Sequence, residues 1–132
     1  MDTRASVETV LDQLYAARCA NDANAAGALF AADGRFAAYL DGTPTLSAHA
    51  ERVSAMNTLF TAFTVVDFHE HCRVIDPPRA VVHWRGRFRA LNGREGEANI
   101  LDLFEFRDGK VAGATTFYDT AFAARLSAPN QA

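Results

Sequence analysis

The sequence contains little that assigns a chain to a specialised class of protein. It has two cysteines, Cys19 and Cys72, which lie far apart and form no C-x-x-C pair, so neither a disulfide framework nor a zinc knuckle is indicated. The net charge of -3 gives no electrostatic reason to expect a nucleic-acid or membrane partner. No apolar run reaches the length of a membrane span, and the N-terminus lacks the apolar stretch of a signal peptide. We therefore expect a soluble, cytoplasmic protein.

The composition that remains is typical of one folded domain. Hydrophobic residues make up 49% and charged residues 22% of the chain, a balance that argues against disorder. A length of 132 residues supports one domain with a substantial core, and we assign residues 1–132 to it. Ten phenylalanines, three tyrosines and one tryptophan are more aromatic residues than a minimal core needs.

Apolar residues recur at helical spacing in three segments of the N-terminal half. The spacing predicts helices from about Ser6 to Ala20, from Ala25 to Ala31 and from Ser47 to Phe60. Ser6 is the predicted N-cap of the first helix, and Asn21-Asp22 predicts its end and a new cap. A short strand from Arg35 to Leu40 and a loop over Asp41-Gly42-Thr43-Pro44 are predicted before the third helix.

Strand-like alternation dominates the C-terminal half. The predicted strands run from about Thr64 to Ile75, Arg79 to Leu91, Glu97 to Arg107 and Lys110 to Phe122. Pro77-Pro78, Asn92-Gly93 and Asp108-Gly109 separate them as tight turns. Helices followed by a run of strands predict an α+β fold, with the helices on one face of a curved antiparallel sheet. Such a sheet encloses a cone whose open end admits a small ligand.

Two of these strands predict an inner and an outer face of the sheet. The predicted inner residues are Val82, Trp84, Gly86, Phe88, Ile100, Asp102, Phe104 and Phe106. The predicted outer residues are His83, Arg85, Arg87, Arg89, Asn99, Leu101, Leu103 and Glu105. Because the outer face is still partly apolar, we expect a homodimer with Leu101, Leu103 and Phe117 in its interface. The alternative is a patchy face in contact with solvent.

Asp102 is the first candidate for a functional residue, because apolar residues surround it in its predicted strand. A carboxyl group in that setting needs a partner or a proton, so Asp102 is either a proton donor or a structural hydrogen-bonding group. Glu70 is a second candidate. Two carboxyl groups in one apolar site would have different pKa values, so that one would act as an acid and the other as a base. The alternative for Glu70 is a salt bridge with an arginine at the rim.

Three histidines, His69, His71 and His83, are expected to project the same way from neighbouring strands. They could bind zinc or another transition metal. However, the neighbouring Arg85 and Arg87 are unfavourable for a metal site, so we predict surface or interface histidines and no metal. The aromatic residues form the other set. Those predicted to line a ligand pocket are Phe36, Tyr39, Trp84, Phe88, Phe104 and Tyr118.

The order of elements and three motifs resemble one superfamily. The motifs are Asn21-Asp22 followed by Ala-Leu-Phe-Ala-Ala-Asp-Gly at 28–34, Leu-Asp-Leu-Phe-Glu-Phe-Arg-Asp-Gly-Lys-Val at 101–111, and Phe-Tyr-Asp-Thr at 117–120. Together they resemble the nuclear transport factor two-like superfamily, which includes ketosteroid isomerases, SnoaL-type polyketide cyclases, scytalone dehydratase and limonene epoxide hydrolase. The resemblance implies a cone-shaped, cystatin-like α+β barrel with about three N-terminal helices on a mixed, mostly antiparallel sheet.

The resemblance also implies roles for single residues. Asp102 matches the protonated aspartate with which ketosteroid isomerases donate to a dienolate oxygen, and Tyr118 matches a pocket aromatic. The position of the general base in those enzymes holds Ala38. The position of their oxyanion tyrosine holds Leu14, with Tyr15 one step away, and the acid of the cyclases in the last strand is replaced by Thr116. These departures argue against steroid isomerisation.

The expected function is a pocket for a small hydrophobic, cyclic molecule. If the protein is catalytic, we expect cofactor-independent acid–base chemistry of an isomerase, cyclase or dehydratase type. Asp102 would donate or shuttle the proton, and Glu70 or Tyr15 would be the second polar group. The alternative is a non-catalytic binding or dimerisation module that kept the fold and lost the base.

Overall fold

The computed structural model describes residues 2–40, 44–48 and 52–127, with ten helices and strands in those ranges. The helices are α1 (Arg4–Cys19), α2 (Ala23–Gly27), α3 (Arg52–Ala62) and α4 (Thr120–Ser127). The strands are β1 (Phe30–Tyr39), β2 (Pro44–Ala48), β3 (Phe63–Asp76), β4 (Arg79–Ala90), β5 (Glu95–Arg107) and β6 (Lys110–Tyr118). None of the helices in these ranges is both long enough and apolar enough to cross a membrane.

The strands form one six-stranded sheet in the order β2-β1-β6-β5-β4-β3. All neighbours are antiparallel except β1 and β6, which run parallel. Helix α3 contacts β2 and β1 near one edge of the sheet and β3 and β4 near the other. The sheet must therefore curve around the helix. The predicted α+β class and the mixed, mostly antiparallel sheet are confirmed.

The N-termini of the first two helices depend on short polar side chains. Thr3 caps α1 and forms a reciprocal capping box with Ser6, so the prediction of Ser6 as N-cap is wrong by one turn. Asp22 caps α2 by accepting a hydrogen bond from the backbone N–H of Ala25, as the sequence predicted. Helix α2 is shorter than expected, because Phe30 already pairs with Val111 of β6.

Three predicted elements differ from the structure through tertiary pairing. Strand β1 begins at Phe30 rather than Arg35 and contains an irregularity at Gly34, where a side chain would clash with the carbonyl of Val111. Residues 47 and 48 belong to edge strand β2 rather than to the third helix, because they pair with β1. Of the predicted loop over residues 41–44, the first three residues lie outside the described ranges.

Residues 120–127 form a fourth helix, although the alternation predicts a last strand that continues to Phe122. Strand β6 ends at Tyr118, and the Asp119 carboxylate then accepts hydrogen bonds from the backbone N–H groups of Ala121 and Phe122. This is an N-cap, and it turns the chain into α4. Phe122 thereby packs its ring against Phe63 and Phe88, closing that side of the core.

Candidate functional site

A cavity of about 60 Å³ lies between α1, α3 and the inner face of the sheet. Its apolar wall is formed largely by Leu14, Phe30, Phe36, Met56, Leu59, Phe60 and Phe104. Its polar groups come from Tyr15, Arg18, Trp84, Asp102, Thr115, Thr116 and Tyr118. An apolar cavity with a few convergent polar groups is the usual form of a small-molecule site.

Asp102 is the carboxyl group of this cavity, and its two oxygens have different surroundings. It lies on β5 opposite Val82 of β4 and Thr116 of β6, and is 7% exposed. Its Oδ2 accepts hydrogen bonds from the Tyr15 hydroxyl at 2.5 Å and from the Trp84 indole N–H at 2.8 Å. Its Oδ1 is buried and has no hydrogen-bond partner of normal geometry among the described residues. The carboxyl is thus held by one oxygen and free at the other.

Burial raises the pKa of Asp102 above its ordinary value, because the charged form loses its hydration. The nearby Thr116 hydroxyl, the hydrogen bonds from Tyr15 and Trp84 and the positive charge of Arg18 oppose this rise in pKa without cancelling it. Since Oδ2 already accepts two hydrogen bonds, Oδ1 is the oxygen on which the neutral form of the acid would carry its proton.

Tyr15 reaches Asp102 because of its position on α1. Its side chain is buried on the same face of the helix as Leu11 and Arg18, four residues before and three after it. Burial, together with the charge of Asp102, raises the pKa of the Tyr15 phenol well above its usual value, so Tyr15 is a neutral donor. The residue that meets the acid is thus Tyr15 and not Leu14, the position that the family resemblance indicated.

Arg18 is the cation of the cavity, and it is 6% exposed. Its guanidinium donates hydrogen bonds to the Phe63 carbonyl at 2.7 Å, the Tyr118 hydroxyl at 3.0 Å and the Asn21 side-chain oxygen at 3.1 Å. It also lies over the ring of Phe60, 4.3 Å from its centroid. None of these partners carries a negative charge.

Arg18 and Thr116 line the cavity but are not among the site residues predicted from the sequence. A signal for Arg18 was present, because it continues the apolar stripe of α1 one turn after Tyr15, where a charged residue is out of place. Thr116 could be found only through its pairing with Asp102 across β5 and β6. That pairing depends on a register that the sequence alone does not specify.

Four of the six aromatic residues predicted to line a ligand pocket lie along the cavity. Phe36, Trp84, Phe104 and Tyr118 line the cavity. Phe88 is not among the lining residues, because it packs behind the cavity between the rings of Trp84 and Tyr118. Tyr39 also lies outside the lining, stacked on Phe117 with ring centroids 4.7 Å apart. Phe88 and Tyr39 therefore lie outside the cavity and pack against other aromatic side chains.

Glu70 does not join Asp102 in the cavity. It is half-buried and accepts a hydrogen bond from Arg73 at 2.8 Å, and Arg73 also pairs with Asp12 of α1. Glu70 therefore forms a salt bridge with an arginine, the alternative to a place beside Asp102 in the cavity. Glu70 lies opposite Trp84 at the edge of the sheet, and the irregularity at Glu70/Cys72 then places Arg73 rather than Cys72 on the same face, opposite Val82. Ala38, at the expected position of a base, is a buried apolar residue of β1.

The three histidines do come together on the outer face of the sheet. The ring centroids of His69 and His71, and those of His71 and His83, are each 4.8 Å apart. Within the described ranges no group of histidine, cysteine, aspartate or glutamate side chains has the geometry to hold a metal ion. Partial desolvation and the charges of His69, His83 and Arg85 lower the pKa of His71. His69 and His71 are exposed on this face, and His83 is half-buried.

Fold and site together define an α+β protein with a small internal cavity that is lined by an acid, a cation and several hydroxyl groups. The family model of the SnoaL-like domain matches residues 11–114, most of the chain. The chain therefore belongs to the SnoaL-like domain family. A search of curated proteins found no match.

Solved structures support the same fold at low sequence identity. An NTF2-like protein of unknown function from Burkholderia pseudomallei is 21% identical, with a TM-score of 0.77, 93% of this chain and 98% of that chain covered. A proposed isomerase from Bacillus subtilis is 11% identical, with a TM-score of 0.81 and coverages of 96% and 95%. A proposed SnoaL-like polyketide cyclase from Jannaschia is 16% identical, with a TM-score of 0.77 and coverages of 98% and 99%. At these identities the likeness establishes the fold alone.

Proposed function

We propose that this protein binds a small hydrophobic molecule that carries an oxygen atom, and that Asp102 is the proton donor to that oxygen. The observation that carries the proposal is the unpaired Oδ1 of a buried carboxyl group in an apolar cavity. A ligand carbonyl placed beside Oδ1 would supply the missing acceptor. The aromatic lining, with Phe36 and Phe104 among it, favours a flat or cyclic ligand.

The chemistry that fits this arrangement is cofactor-independent acid–base catalysis of the isomerase, cyclase or dehydratase type. When Asp102 gives its proton to a developing enolate or alkoxide, the Tyr15 and Trp84 donors stabilise the carboxylate that remains. The same carboxylate can then take a proton back. One residue would thus act as acid and base in turn, with Tyr15 as the second polar group.

A non-catalytic binding module is the second candidate, and one observation favours it. Among the described residues that line the cavity, Asp102 is the sole carboxyl group and there is no histidine. Reactions that need a separate base in place together with the acid have no group for it there. Both candidate functions use the same ligand site. They differ in whether Asp102 transfers its proton to the ligand and takes one back in a reaction.

The experiment uses the single tryptophan of the chain as reporter, because Trp84 both lines the cavity and donates to Asp102. Small cyclic ketones are titrated into the protein from about pH 5 to 8 while Trp84 fluorescence is followed. Ketone affinity should fall as pH rises through the pKa of Asp102, because the donor is lost. In Asp102→Asn, whose amide stays a donor, affinity should not depend on pH.

A matched control is Glu97→Gln, on the outer face of the same strand, which should keep the pH profile of the unaltered protein. Two results would overturn the proposal. One is that no ketone changes Trp84 fluorescence. The other is that Asp102→Asn and the unaltered protein show the same dependence of affinity on pH. Turnover assays on bound ketones then separate the catalytic candidate from the binding module.

We also propose a homodimer formed through the outer face of the sheet. Leu101 and Leu103 are 41% and 40% exposed, and Phe117 lies opposite Leu101 on β6, next to Tyr39. These side chains form one apolar surface that a second copy would cover. Leu103→Glu should convert a dimer into a monomer in sedimentation velocity. The control Val66→Glu, at an exposed valine of β3, should remain dimeric. A monomeric unaltered protein would refute the proposal.

A further inference from the structure

The buried charge of Arg18 is not balanced by any direct partner in the described part of the chain. No carboxylate there forms a salt bridge with it, and its hydrogen-bond acceptors are a carbonyl, an amide oxygen and a phenol. A buried cation without a counter-ion is unfavourable, and most proteins avoid it. Arg18 nevertheless lines the cavity, so the interior of the site has a positive end.

Tyr118 adds a hydrogen-bond donor next to the charge of Arg18. Its hydroxyl oxygen accepts a hydrogen bond from Arg18, which leaves its own proton to point elsewhere. Both residues line the cavity, and Tyr118 is 5% exposed. A phenol whose oxygen is bonded to a cation is a stronger donor than a free one. The Arg18–Tyr118 pair is therefore suited to receive an oxygen atom that carries negative charge.

Asp102 lies near enough to Arg18 for the two to interact electrostatically, but no salt bridge joins them among the described residues, where Arg18 donates to Asn21, Phe63 and Tyr118. The cavity can therefore reach neutrality in two ways. In an empty cavity, ionised Asp102 balances the positive charge of Arg18. In an occupied cavity, a negatively charged ligand balances that charge, and Asp102 is protonated. Two negative charges in one apolar cavity would repel each other.

We propose, on the basis of the function proposed above, that the ligand is a hydrophobic carboxylate. The Arg18–Tyr118 pair holds its charged oxygen, and the neutral Asp102 carboxyl donates to the same ligand. Binding of the anion is accompanied by uptake of one proton wherever Asp102 was ionised beforehand. The proton moves from solvent to the Oδ1 atom of Asp102, and no other bond forms or breaks.

The groups that face Asp102 from each neighbouring element support this assignment of the proton. Helix α1 supplies Tyr15 and Arg18, β4 supplies Trp84, and β6 supplies Thr116 and Tyr118. From β3, Glu70 and Arg73 act on Tyr15 but are paired with each other. Helix α3 contributes only Met56, Leu59 and Phe60 to the cavity. Asp102 is thus the group in the lining whose proton can change with the ligand.

The test compares ligands that differ mainly in charge. Benzoate is matched with acetophenone, and cyclohexanecarboxylate with cyclohexyl methyl ketone, using Trp84 fluorescence from about pH 5 to 8. The carboxylate of each pair should bind about tenfold or more tightly than the ketone at the acid end of this range. Its affinity should fall more steeply with pH than that of the ketone, and calorimetry in buffers of different ionisation enthalpy should show proton uptake.

Variants separate the charge of Arg18 from its structural role. Arg18→Met should abolish the preference for the carboxylate, and Arg18→Lys should restore part of it. Tyr118→Phe keeps the ring and removes the donor, so it should reduce the preference even if Arg18→Met does not fold. Arg85→Met, an exposed arginine of the outer face, is the control that should leave the preference unchanged.

The outcomes also separate this inference from the function on which it rests. If the ketones bind and the carboxylates bind no more tightly, the cavity is a neutral-ligand site and the inference is wrong. The same holds if the preference for carboxylates survives in both Tyr118→Phe and a folded Arg18→Met. If neither member of either pair changes Trp84 fluorescence, the proposed pocket function itself fails.

Discussion

The two faces of strands β4 and β5 carry carboxyl groups with opposite behaviour. On the inner face, burial raises the pKa of Asp102, which has one oxygen without a partner. On the outer face, hydrogen bonds from Arg87 and Arg89 lower the pKa of Glu95 in contact with water. The strands are the same and the side chains alternate. Access of water and the partners available decide which carboxyl keeps its proton.

This difference indicates where function resides in the molecule. The outer arginines and glutamates pair across β4 and β5 in an exposed network, where ion pairs contribute little to stability. The inner face contains the groups that remain incompletely paired: the free oxygen of Asp102 and the charge of Arg18. Incomplete pairing in a buried site costs stability, and a ligand is the natural means of completing it.

The largest expected difference between the faces concerns packing. Phe88→Ala on the inner face should lower the free energy of unfolding by about 3–5 kcal/mol, because the fully buried ring contacts Phe63, Trp84, Tyr118 and Phe122. Arg87→Ala, its outer neighbour, should lower it by less than about 1 kcal/mol. Urea unfolding measures both. Equal losses would show that the two faces are not distinguished by burial.

The next largest effect concerns the hydrogen bond from Tyr15 to Asp102. Tyr15→Phe should lower the free energy of unfolding by about 1–2 kcal/mol, because Oδ2 loses one of its two donors. It should also raise the pKa of Asp102 further, since that hydrogen bond favours the charged form. Trp84 fluorescence followed against pH measures this second effect. A pKa that falls in Tyr15→Phe would contradict the assignment of Tyr15 as donor.

The pH dependence of stability gives a smaller but more specific comparison. Because the folded-state pKa of Asp102 is raised, its neutral form contributes stability that is fully present below the unfolded pKa. That contribution is lost as pH rises through the folded pKa. Asp102→Asn should therefore match the unaltered protein in acid and become relatively more stable above that pKa, as measured by urea unfolding at several pH values. A constant difference across pH would count against a raised pKa.

The smallest effect is expected on the outer face. The pKa of Glu95 is lowered in the folded state, so its contribution is present above the unfolded pKa and is lost as pH falls through the folded pKa. Glu95→Gln should change the urea midpoint less than Tyr15→Phe does, and only at neutral pH. An effect larger than that of Tyr15→Phe would reverse the comparison between the faces.

The sequence predicts the parts of this molecule that depend on local pattern. The alternation in β4 and β5 correctly placed Trp84 and Asp102 inside and Arg85 outside. Glu70 lies opposite Trp84 on the inner face of edge strand β3, as the alternation predicted, but it is paired with Arg73, a partner that the hydrophobic pattern does not reveal. Strand β2 and the start of β1 depend on pairing partners distant in the chain, so helical spacing was misleading there.

The site required tertiary structure for a similar reason. Asp102 could be selected from its apolar neighbours alone, but its partner could not, because Leu14 and Tyr15 both line the cavity. The exact start of α1 and its packing on β3 determine that the hydroxyl of Tyr15 reaches the acid. The helical spacing indicates Arg18 as a charged residue on the apolar face of α1. The sequence does not indicate that Arg18 has no acidic partner among the described residues.

The most direct test of the central claim is the pKa of Asp102 itself. Carboxyl carbons of the folded protein, labelled with ¹³C at aspartate, can be titrated by NMR, and Asp102→Asn identifies the signal. We expect the Asp102 signal to titrate above the ordinary aspartate pKa of about 3.9. A midpoint at or below the ordinary value would mean that Asp102 is a fixed anion, and that it is not the proton donor of the cavity.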